Sequence, residues 1–374
     1  MSVTVTQCFL KWLAVILSVV WITLPLTVSA GEDVLRMLVW EGYAPEKSIN
    51  IFQKFVEKKY KKKIRIEVSF VSNSDSFYDP VRDKKVDVIS PTYHMFNDQR
   101  WVLIDKGLIL ALDMDNIPNF KNISPVLQEA EYLNRSGIKY AAPLAQGPYG
   151  LVYNTKFVEN TPESWNVLWA PEYRGKYVIA ANEYMHNCML TALALGYPRD
   201  SLHKFDILNN NEFKTKLAEL AKNAHSFWDG TDKPDDLFGH SLATSWGFAL
   251  KELKEKGEIW RLAEPKEGTV YWVDNYSITW ALKDKPLLRK IAEEWINYTL
   301  SPDFQVEVIS RDLSCFPVTT NIQHRLTKEE INTLHVDKPE EYQKTRIRES
   351  DLSLRDRHGL ELLWKDAMKK RANR

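Results

Sequence analysis

The chain has 374 residues, and its 50 basic and 50 acidic side chains give a formal net charge of zero at neutral pH. This balance gives no general attraction for nucleic acid or for an anionic membrane surface, so proteins that bind these polyanions are not expected. No spacing of His, Cys, Asp or Glu is typical of a zinc or iron site, so we expect neither a metal nor another cofactor. The 13 tryptophans are many for this length and indicate binding surfaces as well as core.

The first thirty residues have the pattern of an export signal. Lys11 precedes an apolar run over residues 12–21, and the Val-Ser-Ala sequence at 28–30 fits the rule for a cleavage site. We therefore predict cleavage after Ala30, which leaves a chain long enough for two domains. The alternative is a retained membrane anchor, but the run is shorter than the ~20 residues of a spanning helix, and Pro25 interrupts it. No later segment is long and apolar enough to span a membrane.

The mature chain begins with alternating strand and helix patterns. The predicted elements are strand 34–39, amphipathic helix 49–60, strand 64–70 and strand 86–90. This order predicts a parallel α/β sheet with right-handed crossovers. Ligands of such sheets bind at the carboxyl ends of the strands, where Trp40, Tyr43, Thr92 and His94 follow the first and third strands. We therefore expect these four side chains at one mouth.

The pattern changes near residue 143, where Gly and Pro become frequent and the α/β order starts again, so we place the first passage between two lobes there. The other predicted elements are strand 177–181 and helices 101–112, 183–195, 212–224, 242–256, 287–300, 303–310 and 360–370. Glu183 and His186 lie in the first turn of helix 183–195, and Trp246 lies near the start of helix 242–256. A helix N-terminus that faces a cleft can hold a carboxylate in place or receive an anion.

Residues 271–278 form an apolar, β-branched and aromatic run that predicts a buried strand. Asp274 lies in its middle, although a buried strand seldom carries an unpaired Asp because desolvating a carboxylate is costly. An Asp beside Trp272 suits a cationic ligand, since the carboxylate pairs with an ammonium group and the indole face attracts it. The alternative is that Asp274 caps a turn and Trp272 belongs to the core.

Two cysteines lie beyond the predicted leader, Cys188 and Cys315. In an exported protein such a pair can form one disulfide. The alternative is two separate buried thiols. The sequence does not give the distance between them, so both alternatives stay open here.

A set of local motifs occurs in one order along the chain. They are Trp40-x-x-Tyr43, Val86-Asp87-Val88-Ile89-Ser90-Pro91, Lys106-Gly107-Leu108-Ile109-Leu110-Ala111-Leu112-Asp113, Tyr149-Gly150-Leu151-Val152-Tyr153-Asn154, Ser164-Trp165-x-x-Leu168-Trp169-x-Pro171-Glu172-Tyr173-Arg174-Gly175-Lys176, Leu193-Ala194-Leu195-Gly196-Tyr197, Tyr271-Trp272-Val273-Asp274 and Asn297-Tyr298-x-Leu300-Ser301-Pro302. Each motif is weak alone, but together they are specific. By these motifs the chain resembles the spermidine/putrescine-binding proteins of bacterial ABC importers, over nearly all of its mature length.

The resemblance implies an α/β protein with the two-lobed periplasmic binding protein fold, type II, and a ligand cleft between the lobes. It also implies a periplasmic location, a polyamine ligand, an ABC permease in the inner membrane as partner, a monomeric state and no enzymatic activity. The predicted limits are residues 31–142 with 274–318 for the first lobe, and 143–273 with 319–374 for the second.

The polyamine site of the family uses aromatic walls and carboxylates. Asp274 matches the carboxylate that takes an amine, and Glu183 falls where another acidic group is expected. His186 stands where the family has a further Glu, His94 fills an aromatic position, and Arg355 replaces a pocket Gln. The full predicted ligand-binding set is Trp40, Tyr43, Thr92, His94, Glu183, His186, Trp246, Trp272, Asp274 and Arg355.

The departures from the family pattern matter because each ammonium group of a buried polyamine needs a partner. An imidazole at His186 and a guanidinium at Arg355 would favour a smaller amine, a zwitterion or an anion, although Asp274 and Glu183 argue against a pure anion. The alternative is that His186 faces outward and Arg355 forms a surface salt bridge. A sensor that presents its loaded form to a membrane receptor would have the same sequence features. An exported enzyme is the third hypothesis, but the chain has no Gly-x-Ser-x-Gly elbow.

Overall fold

A computed structural model describes residues 33–340, 346–348 and 352–372. The predicted export signal, with its cleavage after Ala30, lies outside the described residues. Within the described ranges, none of the helices has the length and apolar character needed to cross a membrane.

Strands and helices alternate along most of the chain, and short 3-10 segments fill many of the connections. The strands are β1 (Asp33–Trp40), β2 (Ile64–Val71), β3 (Val88–Ile89), β4 (Asn134–Arg135), β5 (Ile138–Lys139), β6 (Ala142–Asn154), β7 (Tyr177–Ala180), β8 (Ser226–Trp228), β9 (Leu242–Ser245), β10 (Trp260–Leu262), β11 (Thr269–Ile278), β12 (Phe316–Pro317) and β13 (Arg346–Arg348). The helices are α1 (Glu46–Tyr60), α2 (Tyr78–Arg82), α3 (Pro125–Gln128), α4 (Tyr184–Ala194), α5 (Phe205–Leu208), α6 (Asn211–Asn223), α7 (Pro234–Leu237), α8 (Leu250–Glu255), α9 (Pro286–Thr299), α10 (Lys328–Leu334) and α11 (Leu354–Ala372), and Phe304–Asp312 is a π-helix.

One large mixed sheet has the strand order β2-β1-β3-β11-β6-β9-β7-β8. β1 pairs in parallel with both β2 and β3, which confirms the parallel start predicted from the strand and helix pattern. β6 and β11 are antiparallel neighbours in the middle of this order. The carboxyl ends of β1 and β3 therefore meet beside β11.

The buried apolar side chains form two large cores. The first takes residues from 35–145 and 271–318, and the second takes residues from 149–270 and 347–367. β6 and β11 connect them: in β6 the first core ends at Ala145 and the second begins at Tyr149, and in β11 the change lies between Val270 and Tyr271. The lobe limits given above stay a prediction.

Two predicted helices are wrong. Residues 101–112 form turns, because Val102 and Gly107 both adopt positive φ angles, 46° and 64°, which end any helix. In the segment predicted as helix 242–256, residues 242–245 form β9, and only Leu250–Glu255 is helical. β9 lies between β6 and β7 and all four of its residues are buried, so it lacks the alternation that marks a half-buried strand.

Cys188 and Cys315 are separate buried thiols, so the disulfide is excluded in favour of its alternative. Cys188 belongs to the second core and Cys315 to the first. Burial raises the pKa of the Cys188 thiol above its usual value. Both cysteines are therefore protonated and shielded from reagents at neutral pH.

We predict that the folded mature protein does not react with a thiol reagent such as Ellman's reagent over minutes. After unfolding in guanidinium, without any reductant, two thiols per chain should react, because both cysteines beyond the leader are free. Absence of reactive thiols in the unfolded chain would contradict the structure and support a disulfide.

Candidate functional site

Asp274 lies in the middle of β11 with its carboxylate held on both oxygens. The Tyr43 hydroxyl donates to Oδ2 and the Thr92 hydroxyl donates to Oδ1, each at 2.6 Å. The Asp274 residue is 7% exposed. Burial, and then the nearby Asp274 charge, raise the pKa of Tyr43 well above its usual value, so this phenol stays neutral. Because both donors are neutral, they orient the carboxylate without cancelling its charge.

The local backbone explains why an Asp occurs inside a buried strand. The pairing of β11 with β6 shifts register between Asp274 and Asn275, and Asp274 forms a bridge with Thr92, just beyond β3. The Asn275 amide side chain donates to the Pro91 carbonyl at 3.3 Å, which ties the shifted strand to the turn after β3. Asp274 therefore lies at the strand ends of the first lobe, together with Tyr43 and Thr92 as predicted.

Trp272 forms an aromatic wall two residues before Asp274. Its indole packs against Gly147 of β6, where an added Cβ would stand 2.8 Å from the indole Cζ2 atom. Phe248 stacks with the same indole, with ring centroids 6.3 Å apart and planes 20° apart. Sequence reasoning missed Phe248, although its position in Trp246-Gly247-Phe248 put a second aromatic beside a predicted one.

The second lobe contributes an aromatic group built on Trp246. The Trp246 ring lies 5.0 Å from His186 and 4.7 Å from Tyr149, measured between centroids. Trp246 is partly buried and packs against both cores, so it stands where the two lobes meet. Tyr149 was not predicted as a site residue, although it begins one of the family motifs.

Asp232 fixes the position of Trp246 and was also missed. Its carboxylate accepts from the Trp246 backbone amide at 2.8 Å and from the Ser245 hydroxyl at 2.7 Å, and the residue is 3% exposed. Burial raises the pKa of Asp232 above its usual value, against the lowering effect of these hydrogen bonds. Burial raises the pKa of the Cys315 thiol, and the charges of Asp274 and Asp232 raise it further. Both carboxylates therefore lie close enough to this sulfur to act on it.

Glu183 and His186 form a pair at the start of α4. His186 Nδ1 lies 2.9 Å from Glu183 Oε2, and His186 is 5% exposed. The alternative of an outward-facing His186 is therefore wrong. Glu183 precedes the first residue of α4, so its carboxylate stands at the positive end of the helix dipole.

His94 and Trp40 are both partly buried and pack against aromatic neighbours. Trp40 packs edge-on against Phe77, with ring centroids 5.7 Å apart. His94 packs edge-on against Tyr93 at 6.0 Å. The guanidinium of Arg348 stands 5.8 Å from the ring of Tyr93 and was not predicted as a neighbour of the site.

Arg355 does not join these residues. Its side chain is 71% exposed and its Nη2 donates to Asp206 Oδ1 at 2.6 Å. The structure therefore shows the alternative, a surface salt bridge. Arg357, two positions later on α11, binds Asp98, whose neighbour Phe96 belongs to the first core.

We predict that Gly147→Ala displaces the Trp272 indole, because the new methyl group would stand 2.8 Å from the indole Cζ2 atom and Phe248 stacks with the same ring. Overpacking of this kind costs about 1–3 kcal/mol of unfolding free energy. Denaturant unfolding and the near-ultraviolet circular dichroism of the tryptophans measure the two effects. In the double variant with Phe248→Ala the indole can move into the space of the missing ring. The loss of unfolding free energy in the double variant should therefore be smaller than the sum of the losses in the two single variants. Equality with that sum would contradict the contact.

The family model of bacterial extracellular solute-binding proteins matches residues 83–338. The spermidine/putrescine-binding periplasmic protein 1 of Haemophilus influenzae is 24% identical over 285 residues, which cover 73% of this chain and 72% of that protein. The Escherichia coli spermidine/putrescine-binding periplasmic protein is 22% identical over 307 residues, 80% of this chain and 82% of its own. The structure of the spermidine/putrescine substrate-binding protein PotD from Streptococcus pneumoniae, 19% identical, superposes with a TM-score of 0.73 over 91% of this chain and 100% of that one, which confirms the predicted two-lobed fold. This chain belongs to the bacterial extracellular solute-binding protein family, whose members bind solutes for ABC transporters and are not enzymes.

Proposed function

We propose that this protein captures a polyamine of the putrescine–spermidine type in the periplasm and delivers it to an ABC permease in the inner membrane. The observation that carries the proposal is the buried Asp274 carboxylate, oriented by two neutral hydroxyl groups beside the Trp272 wall. The names of the similar periplasmic proteins from Haemophilus influenzae and Escherichia coli give independent support.

The chemistry of the site suits an amine with an alkyl chain. An ammonium group on Asp274 would gain a charge-assisted hydrogen bond from a carboxylate that is already oriented. The indole faces of Trp272 and Trp246 would cover methylene groups and attract the adjacent positive charge. Tyr43 and Thr92 keep the carboxylate in place before the ligand arrives, so little side-chain entropy is lost on binding.

The ligand would lie between the lobes, and closure of the lobes would cover it. We propose the limits 31–142 with 274–318 and 143–273 with 319–374 for the two lobes. β6 and β11 run through both cores and would serve as hinge strands. Asp274 and Trp272 lie on β11, and the ligand would be covered from the second lobe by His186 and Trp246.

A zwitterionic ligand is the second candidate, and the pair Glu183–His186 favours it. In this pair an imidazole lies 2.9 Å from the carboxylate that would otherwise serve a second ammonium group. A protonated His186 would offset the charge of Glu183, which leaves Asp274 as the stronger of the two amine partners. An amine with one ammonium and one carboxylate group would then suit the site better than a diamine.

A thermal-shift screen of the mature protein separates these candidates. The compounds are putrescine, spermidine, monoamines, ω-amino acids and small dicarboxylates, each at a concentration far above its expected Kd. A ligand that binds only the folded state raises the melting temperature by mass action. We expect shifts with putrescine or spermidine. A shift confined to ω-amino acids would overturn the polyamine assignment in favour of the zwitterion, and a shift confined to dicarboxylates would overturn both.

We predict that Asp274→Asn raises the Kd of the amine identified in the screen by about two orders of magnitude, since loss of one partner of a shielded charge pair costs on the order of 3 kcal/mol. Isothermal titration calorimetry measures the change. Asp206→Asn is the matched control, because that carboxylate is 67% exposed and pairs with Arg355 on the surface. Equal Kd values for wild type and Asp274→Asn, with an intact melting transition, would contradict the proposal that Asp274 binds the amine.

A further inference from the structure

An ion pair joins the two lobes through residues outside the predicted ligand site. Arg357 Nη2 donates to Asp98 Oδ2 at 2.8 Å, across a sequence separation of 259 residues. Asp98 follows the turn that carries His94, and its neighbour Phe96 belongs to the first core. Arg357 lies on α11, whose Leu360 belongs to the second core. The contact therefore exists only while the two lobes are close together.

This pair is shielded from solvent. The side chains of Asp98 and Arg357 are 4% and 22% exposed. A second pair between the lobes, Lys251 with Asp312 at 2.8 Å, is far more open, with 42% and 62% exposure. Exposed ion pairs contribute about 0–1 kcal/mol, whereas shielded pairs interact more strongly because water and salt screen them less. The Asp98–Arg357 contact is thus the stronger of the two.

Arg100 makes the contact reversible. Its guanidinium binds the same carboxylate, with Nη2 at 2.8 Å from Oδ2 and Nε at 3.1 Å from Oδ1, and its backbone amide donates to Oδ1 at 2.9 Å. Burial opposes ionisation of Asp98, but hydrogen bonds from Arg100 and the charge of Arg357 outweigh it and lower the pKa of the carboxyl. Arg100 stays with Asp98 when Arg357 leaves, so the Asp98 carboxylate keeps a positive partner after opening. Opening therefore avoids the large free-energy cost of a buried charge without a partner.

Aromatic contacts also join the two cores in the same structure. Trp246 packs against both cores, and Phe248 of the same segment stacks with Trp272. Arg357 also lies near the Tyr184 hydroxyl, at the first residue of α4 beside Glu183. The ion pair therefore lies beside the start of α4, in a structure whose two cores are also joined by Trp246 and Phe248.

We propose that Asp98 and Arg357 form a closing contact that holds the lobes together and retains the bound solute. The proposal rests on the solute-binding function given above, but not on the identity of the solute. A solute enters and leaves through the open form, so a contact made only in the closed form should slow dissociation. It also holds a fraction of the solute-free molecules closed, and association changes less than twofold as long as this fraction stays below one half. Since it is made only in the closed form, it biases the open–closed equilibrium by its own free energy.

The test compares wild type with Arg357→Gln, Arg357→Lys and Lys251→Gln. Small-angle X-ray scattering of the solute-free proteins reports closure through the radius of gyration, and stopped-flow tryptophan fluorescence with spermidine reports the rate constants. We expect Arg357→Gln to increase the radius of gyration and to raise the spermidine dissociation rate constant about three- to tenfold, with less than a twofold change in association. Arg357→Lys should recover part of the effect, and Lys251→Gln should change each quantity less than twofold.

Two outcomes would overturn the closing contact: Arg357→Gln with wild-type scattering and dissociation, or Lys251→Gln with an effect as large. The melting transitions of all variants show whether they fold. If Arg357→Gln does not fold, Asp98→Asn carries the test, and wild-type scattering and dissociation in Asp98→Asn then overturn the proposal. Failure of spermidine to bind wild type counts against the polyamine function alone. The scattering comparison of the solute-free proteins still decides the closing contact in that case.

Discussion

The structure depends on one unfavourable placement, a carboxylate inside a buried strand. β11 has all ten of its residues buried, and Asp274 stands among them. Desolvation of such a group costs several kcal/mol unless hydrogen bonds replace the lost water. Tyr43 and Thr92 supply these bonds from two other segments, and the register shift after Asp274 brings the strand to them. The segments that follow β1 and β3 therefore stabilise the buried carboxylate of Asp274 by hydrogen bonds.

The strands that carry the site are also the strands that connect the lobes. Trp272 and Gly147 are register partners on β11 and β6, near the point where both strands pass from one core to the other. A glycine is required there because the indole lies on the backbone itself. Any bend of the two strands during opening would move the aromatic wall relative to the second lobe. A solute that binds on Trp272, as proposed above, would therefore be linked to lobe motion directly rather than through a long chain of intermediates.

Sequence reasoning succeeded where the signal was local. The parallel order of β1 to β3 follows from short patterns of polarity, and so does the buried strand β11 that carries Trp272 and Asp274. It failed where the structure depends on partners that are distant in sequence. Asp232 was missed because it joins the candidate site only by binding the Trp246 backbone. The residues of β9 were predicted as part of a helix because both faces of this strand are buried. Arg355 was misplaced for a related reason, since the direction of a side chain on α11 is set by what the helix packs against.

In the functions proposed above, recognition and retention are carried by different parts of the molecule. Asp274, Trp272 and Trp246 would contact the solute, so changes there would alter which solute binds. Asp98 and Arg357 are held by a loop and a C-terminal helix, and neither contributes to the predicted ligand set. A shielded ion pair away from the ligand stabilises the closed form by the same amount for every solute. The affinity of the protein could therefore change through Arg357 without a change in specificity, whereas a change at Asp274 or His186 must alter both.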